Sequence, residues 1–231
     1  MSRPDEAASE RFGAAYWEDR YRGGEGARRQ DPSPSLVVEV GALAPGRALD
    51  AGCGRGADTL WLAAHGWQVT AVDVSATAVD AGRESARVAG DVPAERIAWL
   101  AADLTSWEPG RTFDLVTSHY VHVPGPPEAL FRRLASWVAP GGTLLVVGHD
   151  DGHDAEHDHG GHGHGGDHGG PAHPPEARVR PGQVVAVLPG DEWDVVVAEP
   201  RTHTLQRPDG NGPVTLHDVV VHARRRAPAQ P

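Results

Sequence analysis

Asp50-Ala51-Gly52-Cys53-Gly54-Arg55-Gly56 is the stretch that decides how this chain folds. Immediately before it, Arg47-Ala-Leu-Asp-Ala51 is a short strand-like run, and after it Asp58 to His65 reads as a helix with Gly66 just past its end. Glycines between a strand and a helix let the backbone bend tightly. They also let a ligand approach the main chain, beside the positive end of the helix dipole. A tight turn with no ligand would carry the same glycines, so the turn has to be read with its surroundings.

Working outward, Gln68-Val-Thr-Ala-Val-Asp73 alternates and is β-branched, which predicts a second strand. Ser75 is a natural N-cap for a helix to about Ala89, stopped by Gly90. Ile97 to Ala101 and Phe113 to Thr117 read as the third and fourth strands. Pro126-Pro127 opens a helix expected to run through Val138, with Leu130, Leu134, Trp137 and Val138 at helical spacing, and Pro140-Gly141-Gly142 closes it. Thr143 to Gly148 is a fifth strand, apolar enough to be buried on both faces. Strands alternating with helices imply right-handed crossovers and a mostly parallel sheet. Trp193 to Ala198 and Thr215 to Ala223 are two further strand-like runs around the turn-rich Pro208-Asp-Gly-Asn-Gly-Pro213, so one of them is expected to run antiparallel to the rest.

Length and composition bound the remainder. A chain of 231 residues suits one large domain with an insertion. Residues 1–46 hold two helical segments, around Phe12 to Tyr21 and Leu36 to Leu43, and are expected to form a helical cap. Residues 47–226 make the main domain, and 227–231 a disordered tail. The 32 acids exceed 21 basic residues, all Arg, for a formal charge of -11, which argues against a nucleic-acid backbone as partner. No apolar run approaches the ~18 residues of a membrane span, and the N-terminus is acidic and polar, unlike a signal peptide. The single Cys53 excludes an intramolecular disulfide framework and fits a reducing compartment. A cytoplasmic protein without a membrane partner is the expectation; composition does not give the oligomeric state. Fourteen His are present, and eight lie between His149 and His173 among eight Gly and six acids. Residues 149–175 therefore read as a flexible His/Gly/Asp-rich insertion. Within it His153, His157, His159, His162, His164 and His168 are candidate ligands for weakly bound Zn or Ni.

Two acids choose between nucleotide ligands for the turn. Gly52, Gly54 and Ala57 satisfy the dinucleotide fingerprint, and Asp73 stands near the ~20-residue spacing of a ribose-binding acid. Asp50, inside the turn, would repel a pyrophosphate and attract an ammonium group. Asp103, after the third strand, is placed to accept from an exocyclic amine. The expected ligand has a positive end, a ribose and an adenine but no phosphate, and S-adenosylmethionine fits that description.

From about Tyr16 to Arg226 the chain resembles the class I, Rossmann-like, S-adenosylmethionine-dependent methyltransferases. The residues that carry the likeness are Ala48 through Gly56, Val72-Asp-Val-Ser75, Asp103-Leu104, Phe113-Asp-Leu-Val116, and Leu134 through Pro140-Gly-Gly-Thr-Leu-Leu145. The resemblance implies an α/β fold: a Rossmann-like, seven-stranded, mostly parallel sheet with a C-terminal antiparallel hairpin strand and helices on both faces. It implies cofactor contacts from Asp50, Ala51, Gly52, Cys53 and Gly54, from Asp73 and Val74 at the ribose, from Asp103 and Leu104 at the adenine, and from Ser118. Trp17-Glu-Asp-Arg-Tyr21 and Pro32 to Leu36 also resemble the N-terminal region of small-molecule enzymes of the tellurite-resistance and thiopurine type. That likeness implies a segment closing over the cofactor, with Trp17, Tyr21 and Arg22 approaching the site, and a small-molecule methyl acceptor.

A sulfonium carries its own leaving group, so methyl transfer needs an aligned nucleophile, and a base only where the acceptor is protonated. His119 and His122, in Ser118-His-Tyr-Val-His122 after the fourth strand, are the candidates for a base or an acceptor contact. A hydrogen-bonded structural histidine is the alternative for each. Cys53 reads either as a thiol activated by the helix start or as a small residue tolerated in the turn. Two other functions stay open: a dinucleotide-dependent oxidoreductase, disfavoured by Asp50 and the terminal hairpin, and a noncatalytic metal-binding protein using the His-rich segment.

Overall fold

The glycine turn does divide a strand from a helix. In the computed structural model, which describes residues 12–24, 31–90, 94–150, 178–206 and 213–228, β1 (Arg47–Ala51) leads through it into a helix, Ala57–Ala64. Two helices precede them, α1 (Ala14–Arg22) and α2 (Pro34–Val40), so that Ala57–Ala64 is α3. Then follow β2 (Gln68–Asp73), α4 (Ala76–Ala89), β3 (Ile97–Ala101), β4 (Phe113–His119), α5 (Pro127–Ser136), β5 (Val138–His149), α6 (Pro181–Val185), β6 (Trp193–Gln206) and β7 (Pro213–Arg225).

The seven strands form one sheet in the order β3-β2-β1-β4-β5-β7-β6. β1 through β5 pair in parallel, while β7 is antiparallel to both β5 and β6. The C-terminal hairpin thus inserts one reversed strand between two that run with the rest. The strand order reverses between β1 and β4, and open α/β sheets bind ligands at the carboxyl edge of such a switch point. Registers Asp50↔Ala71, Asp50↔Thr117 and Asp73↔Ala101 bring the ends of β1 to β4 to one edge.

Helices cover both faces because the central strands are apolar on both. On one face Leu36 and Val40 of α2, Leu60, Leu62 and Ala63 of α3, and Ala86 of α4 pack on Ala48, Val69, Leu115 and Leu145. On the other, Leu130, Phe131 and Leu134 of α5 and Val184 of α6 pack on Leu49, Val72, Val116 and Leu144. Each fully buried Leu contributes roughly 1.5–3 kcal/mol by leaving water.

Four boundaries differ from expectation. α2 stops at Val40, where Gly41 N–H bonds Val37 O, and Leu43 belongs to the following turn through Val40 O. α5 stops at Ser136, because Val138 already pairs with Phe113 as the first residue of β5. The Pro140-Gly141-Gly142 segment is carried inside β5 as a register irregularity, where a proline without N–H is tolerated. β6 and β7 extend to 14 and 13 residues by pairing with each other. The five-residue α6 is too short to leave a periodic signal.

Most of the expected insertion, from residue 151, lies outside the described residues, as do residues 1–11 and 229–231. Its flanks meet on the sheet: His149 bridges to Arg178, and Val179 N–H donates to His149 O at 3.1 Å. Among the described residues no helix is long and apolar enough to cross a membrane.

Candidate active site

The glycine turn is built by backbone bonds that require its conformation. Gly52 and Cys53 N–H both donate to Val72 O at the end of β2, at 2.8 and 3.0 Å. Gly52 has φ +83, and a Cβ there would stand 2.1 Å from Val121 Cγ2, so neither the torsion nor the space admits a side chain. Cys53 is buried. Burial, then the nearby Asp50 and Asp73, push its thiol well above the ordinary range, which favours a small residue tolerated in the turn over an activated thiol.

Acids surround this turn. Asp50 is buried at 2% exposure and takes a hydrogen bond from Thr59 Oγ1 of α3 at 2.5 Å. Burial, with Asp58 adding like charge, pushes its carboxyl up to about 7. Asp73 is buried, accepting from Gly54 N–H and Ser75 N–H at 2.9 Å each, and burial still outweighs these bonds and raises its pKa. Ala102 N–H donates to Asp73 O, which carries the chain to Asp103 and buried Leu104 beside it. Asp103 is exposed and accepts from Thr105 N–H and Oγ1 through one oxygen.

Two residues beyond Thr117, the β4 partner of Asp50, His119 Nδ1 meets Asp58 of α3, while Nε2 lies 2.8 Å from Thr117 Oγ1. Burial opposes both charges; the contact overrides it, holding Asp58 below and His119 above their ordinary values. Ser33 N–H adds a bond to Asp58 at 2.7 Å. The His119 side chain is 6% exposed, so it looks inward onto Asp58 and away from solvent. Tyr120 then takes φ +54, a left-handed value costly for a bulky residue, with its hydroxyl donating to Asp218 at 2.8 Å. After that reversal Val121 covers Gly52 and His122 joins an aromatic cluster. The His122 ring stacks near Trp17 (6.1 Å) and His149 (6.0 Å), with Phe12 5.3 Å away. Buried Ser118 completes the strand end.

α1 reaches the turn from outside. Trp17 Nε1 donates to His122 O at 3.1 Å, Arg55 donates to Tyr21 O at 3.0 Å, and Tyr21 Oη would lie 2.9 Å from a Cβ on Gly54. Arg22 instead turns to Glu18 at 3.1 Å and is 67% exposed, so it is not gathered to the turn. Glu18, given no role of its own within Trp17-Glu-Asp-Arg-Tyr21, accepts from Ser75 Oγ, Thr77 Oγ1 and Thr77 N–H, capping α4 from another helix; these bonds hold its carboxyl down at about 2. No local signal marks it, because its partners lie 57 and 59 residues away.

The candidate metal ligands His153, His157, His159, His162, His164 and His168 lie outside the described residues; among the described ones no three His, Cys, Asp or Glu side chains gather as a metal site. The donor set at the turn suits a cation: Asp50 and Asp73 are buried there, the partly buried Asp58 is already matched by His119, and the glycines leave a cradle that a Cβ would fill.

Residues 48–142 match the family model described as a methyltransferase domain. The chain is 33% identical over 121 residues to a probable thiol methyltransferase 2 of Arabidopsis thaliana, covering 50% of this chain and 53% of that protein. It is 39% identical over 108 residues to the ribosomal RNA small subunit methyltransferase C of Alcanivorax borkumensis, covering 45% and 32%. The chain thus spans a third to about half the length of these relatives. Its fold is similar to that of TehB from Haemophilus influenzae, with a TM-score of 0.63 at 16% identity over 92% of this chain and 67% of the other.

Proposed function

We propose that this chain, which carries a class I, Rossmann-like methyltransferase domain, transfers a methyl group from S-adenosylmethionine to a small-molecule acceptor. The observation that carries the reading is the buried Asp50 at the end of β1 beside a glycine turn whose backbone admits no side chain, with burial and then Asp58 pushing its carboxyl up to about 7. A ligand with an ammonium and a sulfonium supplies a cation there, and a phosphate ligand does not. This weighs against a dinucleotide.

When bound, the cofactor supplies an electrophilic methyl group with its own leaving group. The chain's residues then have separate tasks. Asp50, Ala51, Gly52, Cys53 and Gly54 hold the amino-acid end; Asp73 and Val74 hold the ribose; Asp103 and Leu104 hold the adenine; Ser118 lines the strand end. Asp58 fixes the His119 ring, which makes His119 a positioning residue behind the turn. His122, adjoining Val121 over Gly52, is the acceptor-facing candidate, with Trp17 beside it. α1 and α2 belong to the N-terminal cap, with Glu18 of α1 anchoring it on α4. The acidic composition and single buried cysteine support a cytoplasmic enzyme without a nucleic-acid partner.

Calorimetry tests the reading first: S-adenosylhomocysteine is expected to bind with a micromolar Kd and NAD not to bind. Release of S-adenosylhomocysteine across a panel of thiols, phenols, amines and carboxylic acids then identifies the acceptor. NAD binding in place of S-adenosylhomocysteine would overturn it.

A further inference from the structure

The other end of the sheet carries chemistry that methyl transfer does not use. Where β1 to β4 begin, a cavity of about 340 Å³ opens, lined by Arg47, Arg96, Arg111, Gln68, Thr70 and Glu95 among others. The topology gathers them: Arg47 and Gln68 are the first residues of β1 and β2 and pair in register, Arg96 directly precedes β3, and Arg111 lies two residues before β4. Strands of five or six residues put this cavity about 15–20 Å from the glycine turn.

Its arginines differ from seven others among the described residues. Arg22, Arg83, Arg87, Arg133, Arg201, Arg225 and Arg226 all pair with acids. Among the described residues no carboxylate pairs with Arg47, Arg96 or Arg111; Arg96 gives one N–H to Gly66 O at 2.7 Å. Asp114, nearby, accepts the backbone N–H of Arg47 and leaves its guanidinium alone. In a chain of net charge -11, three guanidiniums without a carboxylate partner line one concavity, and among the described residues Glu95 in its lining and Asp114 beside it still leave a surplus of about one positive charge.

We propose that this cavity binds a small phosphate-bearing anion of the diphosphate class. Guanidinium forks match phosphate oxygens two at a time, Gln68 and Thr70 add neutral donors, and a volume near 300 Å³ is the lower range of ligand pockets. A free diphosphate and the diphosphate of a nucleotide share this chemistry. The site is separate from the cofactor turn and does not depend on the proposed activity.

Thermal unfolding of the full chain at fixed ionic strength tests it, with inorganic pyrophosphate and ADP as probes and chloride as the reference. Pyrophosphate is expected to raise the midpoint saturably. Arg47→Ala/Arg111→Ala should weaken its Kd at least tenfold, and Glu95→Gln should tighten it two- to threefold, a gain that a misfolded variant cannot mimic. A larger response to ADP that Arg47→Ala/Arg111→Ala abolishes assigns the site to a nucleotide, and an equal one to the inorganic ion. No saturable shift, or the same shift in wild type and double variant, overturns the proposal. S-adenosylhomocysteine titrated alongside reports on the glycine turn independently.

Discussion

Asp50 and Gly52 stand two residues apart and fail in different ways when changed. Gly52→Ala places a methyl group at φ +83 and 2.1 Å from Val121 Cγ2. The left-handed conformation alone costs about 1–2 kcal/mol, and Val121 must move as well. S-adenosylhomocysteine affinity is expected to fall at least tenfold by calorimetry; an unchanged Kd would show that the turn does not touch the ligand. Asp50→Asn keeps the size and the Thr59 neighbour while removing the buried charge. The ligand-free protein should then unfold no lower than wild type at pH 8, since burial of an ionised Asp50 is unfavourable. Affinity for the cationic cofactor should nevertheless drop tenfold or more, and a matched loss of stability would point to a structural carboxyl instead. Both positions were legible because their meaning is local: a strand end, three glycines, a helix start. His119 was not fully legible. Its place in the chain suits a base, but its partner Asp58 is 61 residues distant, and only the folded sheet shows the ring turned toward it.

At the scale of elements, contacts between helices and the sheet edge decide more than helix propensity does. In α4, Gly82 would ordinarily be improved by Ala, worth about 1 kcal/mol in a helix interior. Here a Cβ would sit 2.5 and 2.7 Å from the ring of Trp99 on β3, and overpacking of that kind costs about 1–3 kcal/mol. Gly82→Ala is therefore expected to lower the urea midpoint, and a rise would show that Trp99 moves freely. The α1–α4 junction makes a second case. Ser75 caps α4 by accepting from Ala78 N–H, and Glu18 of α1 binds the Ser75 and Thr77 hydroxyls. With its carboxyl held at about 2, Glu18 keeps this clamp closed above the ordinary carboxylate range and releases it as pH falls toward 2. Glu18→Gln should weaken S-adenosylhomocysteine severalfold while leaving the unfolding midpoint within about 2 °C of wild type. A large stability loss with unchanged affinity would make the contact a brace for α4 and nothing more. Periodicity revealed that α1 and α4 are helices, and the Ser75 cap, but the clamp joins distant segments and has no local pattern.

For the whole molecule, the sheet was readable because each strand and helix announces itself by its own rhythm, and chirality leaves few ways to connect them. What was not readable depends on pairing: β6 and β7 reach their full lengths only against each other, and Val138 leaves its helix because Phe113 binds it. The same sheet concentrates its charge at one edge, with a consequence for pH. Asp50, Asp73 and Asp218 are raised, chiefly by burial, so the stability they contribute is lost as pH rises above the ordinary carboxylate range; for Asp50 the loss runs up to about 7. His119 is raised by Asp58 against its burial and acts in the same direction, its contribution disappearing as pH climbs through its folded value. Asp58 and Glu39 are lowered against burial, by His119 and by His222 with Arg201, and Glu18 by its hydroxyl partners. Their contributions are lost as pH falls below the ordinary carboxylate range. The ligand-free chain should thus be most stable in mildly acidic solution and lose stability from pH 5 to pH 8, each kcal/mol moving the midpoint by about 2–4 °C in a chain of this size. The proposed cofactor, S-adenosylmethionine, would bring a positive charge to this edge, so its binding should tighten over the same interval as Asp50 ionises, and added cofactor should flatten the decline. In Asp50→Asn the pH dependence of cofactor affinity should largely vanish. If it persists there, the edge charge is governed by Asp58 and His119, and Asp50 is not the group that reads the ligand.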